Sequence, residues 1–270
     1  MLRQAADAGI NLFDTAPTYG RSEYFLGQAL ESRVDCHIAT KVPVPKAEDG
    51  DRLRGAKLQE AVENSLNRSH EALQRATLDI VQIHNATLEV INQGEMTEAL
   101  QKAQKQGKVR LLGASVYTEA EAMAVIETGC FDTLQVAYSL FDQRMARRVF
   151  PAAQKAGLAI IVRSALLKGV LTARAQWLPD DLSELRERAE KARDVLAGGS
   201  WQDLPDIALR FCLSHPQVLT VLVGVRDAQE MKSALAASKA GPLPENLRSK
   251  ATALAMDNER LLNPSYWPVA

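Results

Sequence analysis

Seven short β-type runs, separated by longer stretches of helical periodicity, constrain this chain more than any other feature. The runs cover 10–14, 37–41, 78–84, 110–115, 133–138, 158–163 and 218–223, and helical patterns such as Leu58 to Leu73 and Glu119 to Glu127 lie between them. Such alternation predicts βαβ units and a parallel sheet, because a crossover helix returns the chain to begin the next strand in the same direction. Gly9, Gly107 and Gly157 each stand between a helical pattern and the next run. Glycine accepts the left-handed conformation just past a helix end, so these residues mark helix-to-strand turns and not phosphate loops.

About seven strand–helix units in series, with no Gly-x-Gly-x-x-Gly at the first turn, favour a TIM (β/α)8 barrel over a doubly wound sheet. Met1 to Asp7 reads as an amphipathic helix fragment, where a barrel would begin with a strand. The expected fold is therefore an α/β barrel lacking its first strand, either because the start is truncated or because the barrel is open. A truncated start is the expectation taken here. No composition shift marks a boundary, so residues 1–270 read as one barrel domain. The charged stretch 172–203 reads as a helical insertion, and 241–270 as a tail containing Pro242, Pro244, Pro264 and Pro268.

A length of 270 residues suffices for a full core, and a net charge of −1 gives no electrostatic footprint for nucleic acid or a membrane surface. Cys36, Cys130 and Cys212 are odd in number and lack metal-ligand spacing, which suits reduced thiols in a cytoplasmic protein. No apolar run approaches the roughly 18 to 20 residues of a membrane span.

Four polar residues sit at or just beyond the ends of the first three runs: Asp14, Tyr19, Lys41 and His84. Each has an ordinary explanation when taken alone: a turn cap, a packing aromatic, a solvated strand end, a satisfied core histidine. Together, at the carboxyl ends of successive strands, they stand where barrel active sites lie. They also form a proton-donating set. A tyrosine is a poor acid, with a free pKa of about 10, but a neighbouring ammonium favours its phenolate. An aspartate holds that ammonium, and a histidine orients a substrate oxygen or helps relay the proton.

The segment Asp7-Ala8-Gly9-Ile10-Asn11-Leu12-Phe13-Asp14-Thr15-Ala16-Pro17-Thr18-Tyr19-Gly20 closely resembles the signature of the aldo-keto reductase family, and the spacing to Ala39-Thr40-Lys41 and Val81-Gln82-Ile83-His84 matches it as well. The resemblance runs over essentially the whole chain. It implies a TIM barrel that uses a nicotinamide cofactor, usually NADPH, without a Rossmann domain or a metal. On the family pattern Tyr19 is the general acid, Lys41 and Asp14 tune it, and His84 positions the carbonyl.

The resemblance also assigns cofactor positions. Ser115 and Gln135 match the pair that holds the nicotinamide carboxamide, while the family's asparagine after the serine is Val116 here. Where the family often has Tyr-Ser-Pro-Leu, this chain has Arg163-Ser164-Ala165-Leu166, so Arg163 either stacks in place of the tyrosine or meets the substrate. Ser164, Leu166 and Lys168 then fall at the pyrophosphate. Gly224, Arg226 and Glu230 fall at the adenosine phosphate, with Arg226 placed for a 2′-phosphate and therefore for NADP, NAD remaining possible. The Glu-Asn pair that usually holds adenine is Ser233-Ala234.

The function so implied is hydride transfer between the nicotinamide and an aldehyde, ketone or sugar carbonyl, by a monomer or weak homo-oligomer. Two other readings stand beside it. One is a non-catalytic relative that binds nicotinamide as a sensor or partner-binding subunit. The other is a metal-dependent barrel hydrolase, for which His37, His70 and His215 offer no ligand pairing. A missing first strand would leave two sheet edges unpaired beside the cofactor, so an upstream extension is expected to raise stability or activity.

Overall fold

The computed structural model describes residues 1–267; Pro268, expected in the tail, lies outside the described residues. The chain divides into two compact units, one of Met1–Gln135 with Ala152–Ala159 and the other of Val136–Pro151 with the residues from Ile160 onward. Seven strands alternate with helices, as the sequence predicts, and among the described residues no strand precedes the first helix.

In the first unit the order is α1 (Leu2–Asp7), β1 (Leu12–Asp14), α2 (Ser22–Leu30), β2 (His37–Pro43), α3 (Gly55–Leu73), β3 (Leu78–His84), α4 (Leu88–Gln93), α5 (Glu95–Lys105), β4 (Val109–Ser115), α6 (Glu119–Thr128) and β5 (Thr133–Ala137) as far as Gln135. Adjacent strands pair in parallel and in chain order. Gly9, Gly107 and Gly157 all have positive φ, as their punctuating role requires.

The register decides the chemistry of each sheet face. Asp14 pairs with Ala39, Lys41 with Gln82, Gln82 with Gly113, Gly113 with Thr133, and Ser115 with Gln135. Side chains alternate with a period of two along a strand, so Asp14, Lys41, Gln82, His84, Ser115 and Gln135 all share one face. The opposite face is apolar and buried, with Phe13, Ile38, Val42, Val81, Ile83, Leu112, Ala114 and Leu134. Helix α3 buries Leu58, Val62, Ser65, Leu66, Ser69 and Leu73, a stripe of helical spacing.

Gly27 of α2 lies where a Cβ would come within 2.3 Å of the Ala72 carbonyl oxygen, so the end of α3 approaches α2 through the missing side chain.

The second unit holds most of β6 (Ala159–Arg163), β7 (Val218–Val221), and the helices α8 (Ser183–Ala197), α9 (Leu204–Leu213), α10 (Ala228–Lys239), α11 (Glu245–Thr252) and α12 (Glu259–Leu262); α7 (Met145–Ala156) contributes residues to each unit. β6 and β7 pair in parallel with a register shift between Ile160 and Ile161. Within 172–203 the chain forms short 3-10 turns and then α8. Tyr138 stacks on Phe211 and meets Phe150 and His215 edge-on, with Phe150 and His215 ring centroids 4.7 Å apart. Burial in this cluster pushes the Tyr138 phenol up and the His215 imidazolium down, with Arg248 adding to the second effect. Among the described residues no helix is long and apolar enough to cross a membrane, and the three cysteines form no disulfide.

Two outcomes follow. Gly27→Ala should gain up to about 1 kcal/mol of helix propensity and lose about 1–3 kcal/mol to overpacking against backbone, for a net loss in chemical denaturation. An unchanged or raised midpoint would mean that α2 and α3 separate freely. His215 resists a proton that the unfolded chain accepts near its ordinary value of about 6.5, so its contribution is present above that pH and lost below it. The fall in Tm on acidification through this range should be shallower in His215→Leu than in the wild type; equal slopes would refute it.

Candidate active site

Asp14 ends β1, and the Thr15 N–H continues the ladder by donating to the Ala39 carbonyl at 2.8 Å. The chain then turns: the Tyr19 N–H bonds the Ala16 carbonyl at 3.0 Å and the Ser22 N–H bonds the Tyr19 carbonyl at 3.2 Å, with Gly20 at φ 59° between them. This tight turn leads into α2 and sets the Tyr19 ring over the strand ends. Asn85, directly after His84, also takes a left-handed conformation, φ 56°, which asparagine tolerates better than most residues. The Ala86 N–H then bonds the Ser115 carbonyl at 3.0 Å.

The four residues singled out by sequence do come together. Lys41 Nζ donates to Asp14 Oδ2 at 2.6 Å and to the Thr15 carbonyl at 2.8 Å, and lies 5.0 Å from the Tyr19 ring centroid. Tyr19 and His84 meet edge to face with centroids 5.8 Å apart. Lys41 is almost wholly buried, at 1% side-chain exposure, whereas Tyr19 is 47% exposed. A buried ammonium needs a fixed counter-charge, and Asp14 is that charge.

Ser115 and Gln135 join the same cluster. Ser115 Oγ donates to Gln135 Oε1 at 3.2 Å, and Gln135 Nε2 donates to Asp14 Oδ1 at 2.8 Å. Both side chains are buried, and Val116 beside them is buried as well. A hydroxyl and a primary amide side by side present the donors and acceptors that a carboxamide requires, so the pair fits a nicotinamide chemically.

Three features of this site are not among the residues singled out by sequence. Gln82 Nε2 lies 3.5 Å from Asp14 Oδ1, at the outer limit of a hydrogen bond. The Thr15 backbone carbonyl holds Lys41. On the other sheet face Thr40 Oγ1 donates to Glu23 Oε1 at 2.6 Å, tying α2 to β2 beside Lys41. Strand parity could have found Gln82, two residues before His84; the others depend on contacts across the fold.

The remaining sequence-assigned positions belong to the second unit. Arg163 ends β6; its guanidinium donates to Ser164 Oγ at 3.3 Å and its carbonyl accepts the Tyr138 N–H at 3.2 Å. Ser164, Leu167, Lys168 and Gly169 all have positive φ, from 43° to 95°, so this segment holds a backbone that non-glycine residues seldom adopt. The Leu166 carbonyl accepts the Gly169 N–H at 2.9 Å within it.

Gly224 has nothing within 4 Å of a built Cβ and therefore borders open space. Arg226 is held closely by Glu230: its backbone N–H reaches Oε2 at 2.8 Å and its Nε reaches Oε1 at 2.9 Å. This pairing moves the Arg226 guanidinium up and the Glu230 carboxyl down from their ordinary values. Asp227 caps α10 by accepting the Gln229 and Glu230 N–H groups at 2.9 and 2.8 Å. A phosphate at Arg226 must therefore compete with Glu230 for the guanidinium and meets a helix end already capped by a carboxylate. Ser233 and Ala234 lie further along α10.

Comparison with known proteins identifies the family. The family model described as "Aldo/keto reductase family" matches residues 1–254. The aldo-keto reductase YhdN of Bacillus subtilis is 27% identical over 255 residues, covering 86% of this chain and 76% of its own. The NADH-specific methylglyoxal reductase of Escherichia coli is 26% identical over 263 residues, covering 87% and 80%. The solved structure of the aldo-keto reductase AKR11C1 from Bacillus halodurans, in its holo form, superposes with a TM-score of 0.79 at 26% identity, over 96% of this chain and 88% of that one. The fold class is that of its (β/α)8 barrel, and seven of its parallel strands are found here among the described residues. With the signature residues, the strand register and the family match in agreement, the chain belongs to the aldo/keto reductase family of nicotinamide-dependent oxidoreductases.

Proposed function

We propose that this protein interconverts an aldehyde, ketone or sugar carbonyl and its alcohol, with Tyr19 as the general acid. The observation that carries the reading is the buried Lys41 ammonium, fixed by Asp14 at 2.6 Å and set 5.0 Å from the Tyr19 ring. When bound, the nicotinamide supplies the hydride to the carbonyl carbon. The phenol of Tyr19 gives its proton to the carbonyl oxygen, so the alcohol carries one hydride and one proton. The phenolate that remains is stabilised by the adjacent ammonium and recovers a proton from solvent, which the half-exposed ring reaches. His84, beside Tyr19, orients the carbonyl oxygen for that transfer. In the reverse direction the same phenolate accepts the alcohol proton.

Ser115 and Gln135 would hold the carboxamide. Arg163 would face the nicotinamide or the substrate, and Ser164, Leu166 and Lys168 would take the pyrophosphate. Gly224, Arg226 and Glu230 would lie at the adenosine phosphate. The relatives named for methylglyoxal and L-galactose support a small carbonyl or sugar as the substrate class. The reading includes a cytoplasmic monomer or weak homo-oligomer, in keeping with free thiols at Cys36, Cys130 and Cys212. NADP remains the cofactor expected from Arg226, with only a small preference over NAD because Glu230 occupies the guanidinium.

Two measurements test this reading. Tyr19→Phe should bind NADPH as the wild type does, by fluorescence titration, and lose about 10²–10⁴-fold in kcat on a carbonyl panel; a loss below about threefold would remove Tyr19 from the acid role. Glu230→Gln should free Arg226 and raise the NADPH-over-NADH affinity ratio by about fivefold, because the guanidinium no longer has a carboxylate competing with the phosphate. An unchanged or lowered ratio would show that Arg226 does not meet the 2′-phosphate.

A further inference from the structure

Asp14 is engaged at both oxygens. Oδ2 receives Lys41 Nζ at 2.6 Å, and Oδ1 receives Gln135 Nε2 at 2.8 Å from β5. The Gln135 amide cannot turn over without cost, because Ser115 Oγ donates to its oxygen at 3.2 Å and a reversed amide would set that oxygen against the Asp14 carboxylate. Gln135 is 2% exposed, so its amide is held in the interior. A carboxylate held only by Lys41 could rotate about its own bonds; one held from a second strand cannot.

We infer that Gln135 is a positioning residue for the acid-base set, fixing Asp14 against Lys41, in addition to any contact it makes with a nicotinamide carboxamide. Its N–H shares the Asp14 negative charge and leaves more of the Lys41 field directed at Tyr19. Gln82 Nε2, at 3.5 Å from the same oxygen, is too distant to hold it alone. The titratable groups that face Tyr19 and Asp14 include Lys41 from β2 and His84 from β3. Glu23 from α2 lies on the opposite sheet face, bonded to Thr40.

Removing the Gln135 donor leaves the Asp14 charge less compensated, which disfavours a second negative charge on Tyr19. Tyr19 should therefore ionise at higher pH. As a catalytic role, this inference rests on Tyr19 being the proton donor; its electrostatic part does not, because it can be read in the protein without nucleotide.

The experiment is an ultraviolet titration of tyrosine ionisation in the nucleotide-free protein, comparing each variant with the same variant carrying Tyr19→Phe, so that the difference isolates Tyr19 among the five tyrosines. In Gln135→Leu, and in the polar but shorter Gln135→Asn should the first fail to fold, the Tyr19 midpoint should rise by about 0.5–1 pH unit. In Ser115→Ala, which leaves the Gln135–Asp14 bond in place, it should stay. The alkaline limb of kcat at saturating NADPH should move with the midpoint. An unmoved midpoint in the Gln135 variants, with NADPH affinity falling about tenfold or more, would confine Gln135 to the carboxamide and overturn the inference. Loss of Tm with an unmoved midpoint would make it a packing residue and overturn it equally. A shifted midpoint beside undiminished activity of Tyr19→Phe would instead uphold the positioning and sink the assignment of Tyr19 as acid.

Discussion

Lys41 carries a full positive charge into a place where only 1% of its side chain meets solvent, and the first unit is organised around answering it. An ammonium that deep is tolerated when an opposite charge and further acceptors meet it directly. Asp14 Oδ2 and the Thr15 carbonyl do so, both from the end of β1. Their placement follows from the parallel pairing of Leu12, Phe13 and Asp14 with His37, Ile38 and Ala39. A slip of one residue would turn Asp14 to the apolar face and strand the ammonium. Buried ion pairs add little net stability compared with apolar packing, so its importance here lies in register and chemistry.

That register extends across the unit. Lys41, Gln82, Gly113 and Thr133 lie on one rung, and Ser115 and Gln135 on a later one. Gly113 has no room for a side chain, since a Cβ would stand 2.2 Å from Thr133 Oγ1 and 2.9 Å from Gln82 Cγ. The missing side chain lets Thr133 and Gln82 share that space. The two faces of one sheet thus have separate tasks: apolar residues hold the helices, and polar residues from five strands build a single hydrogen-bonded cluster.

Much of this was legible in the sequence because it obeys local periodicity. The run ending at His84 became a strand with the same limits, Leu78–His84, and Glu119 opens α6 where helical spacing begins. Lys41 and Asp14 were legible because polar residues at the ends of apolar runs fall together once strands are parallel. Gln82 was less so: a lone polar residue within Ile80-Val81-Gln82-Ile83 suits a solvent-facing position as well as an interior one. The bond from Thr40 to Glu23 and the close approach at Gly27 depend on how α2 and α3 pack, which no local pattern encodes. The seventh strand ends at Val221 and not at 223, yet the Leu222 N–H still reaches the Val162 carbonyl at 2.8 Å, so the pairing outlasts the regular strand. Arg226 was legible as a cation at a helix start; its capture by Glu230, one helical turn on, limits what position alone implies.

The contrast in exposure between Tyr19 and Lys41 gives the arrangement its chemical sense. On the proposed role of Tyr19, a general acid that turns over must regain its proton, and a ring that is 47% exposed has solvent within reach. The charge that steadies the phenolate has the opposite requirement, because its field is strong only where water does not screen it. Placing the ammonium beneath the ring and the phenol at the surface satisfies both demands with two side chains. Asp14 then has a double constraint, close enough to retain the ammonium but not free to neutralise its field. A carboxylate whose second oxygen is already engaged by Gln135 meets that constraint better than one with a single partner. The polar face of the sheet is thus one electrostatic unit, in which the groups that suit a carboxamide and those that suit a proton donor share the same aspartate.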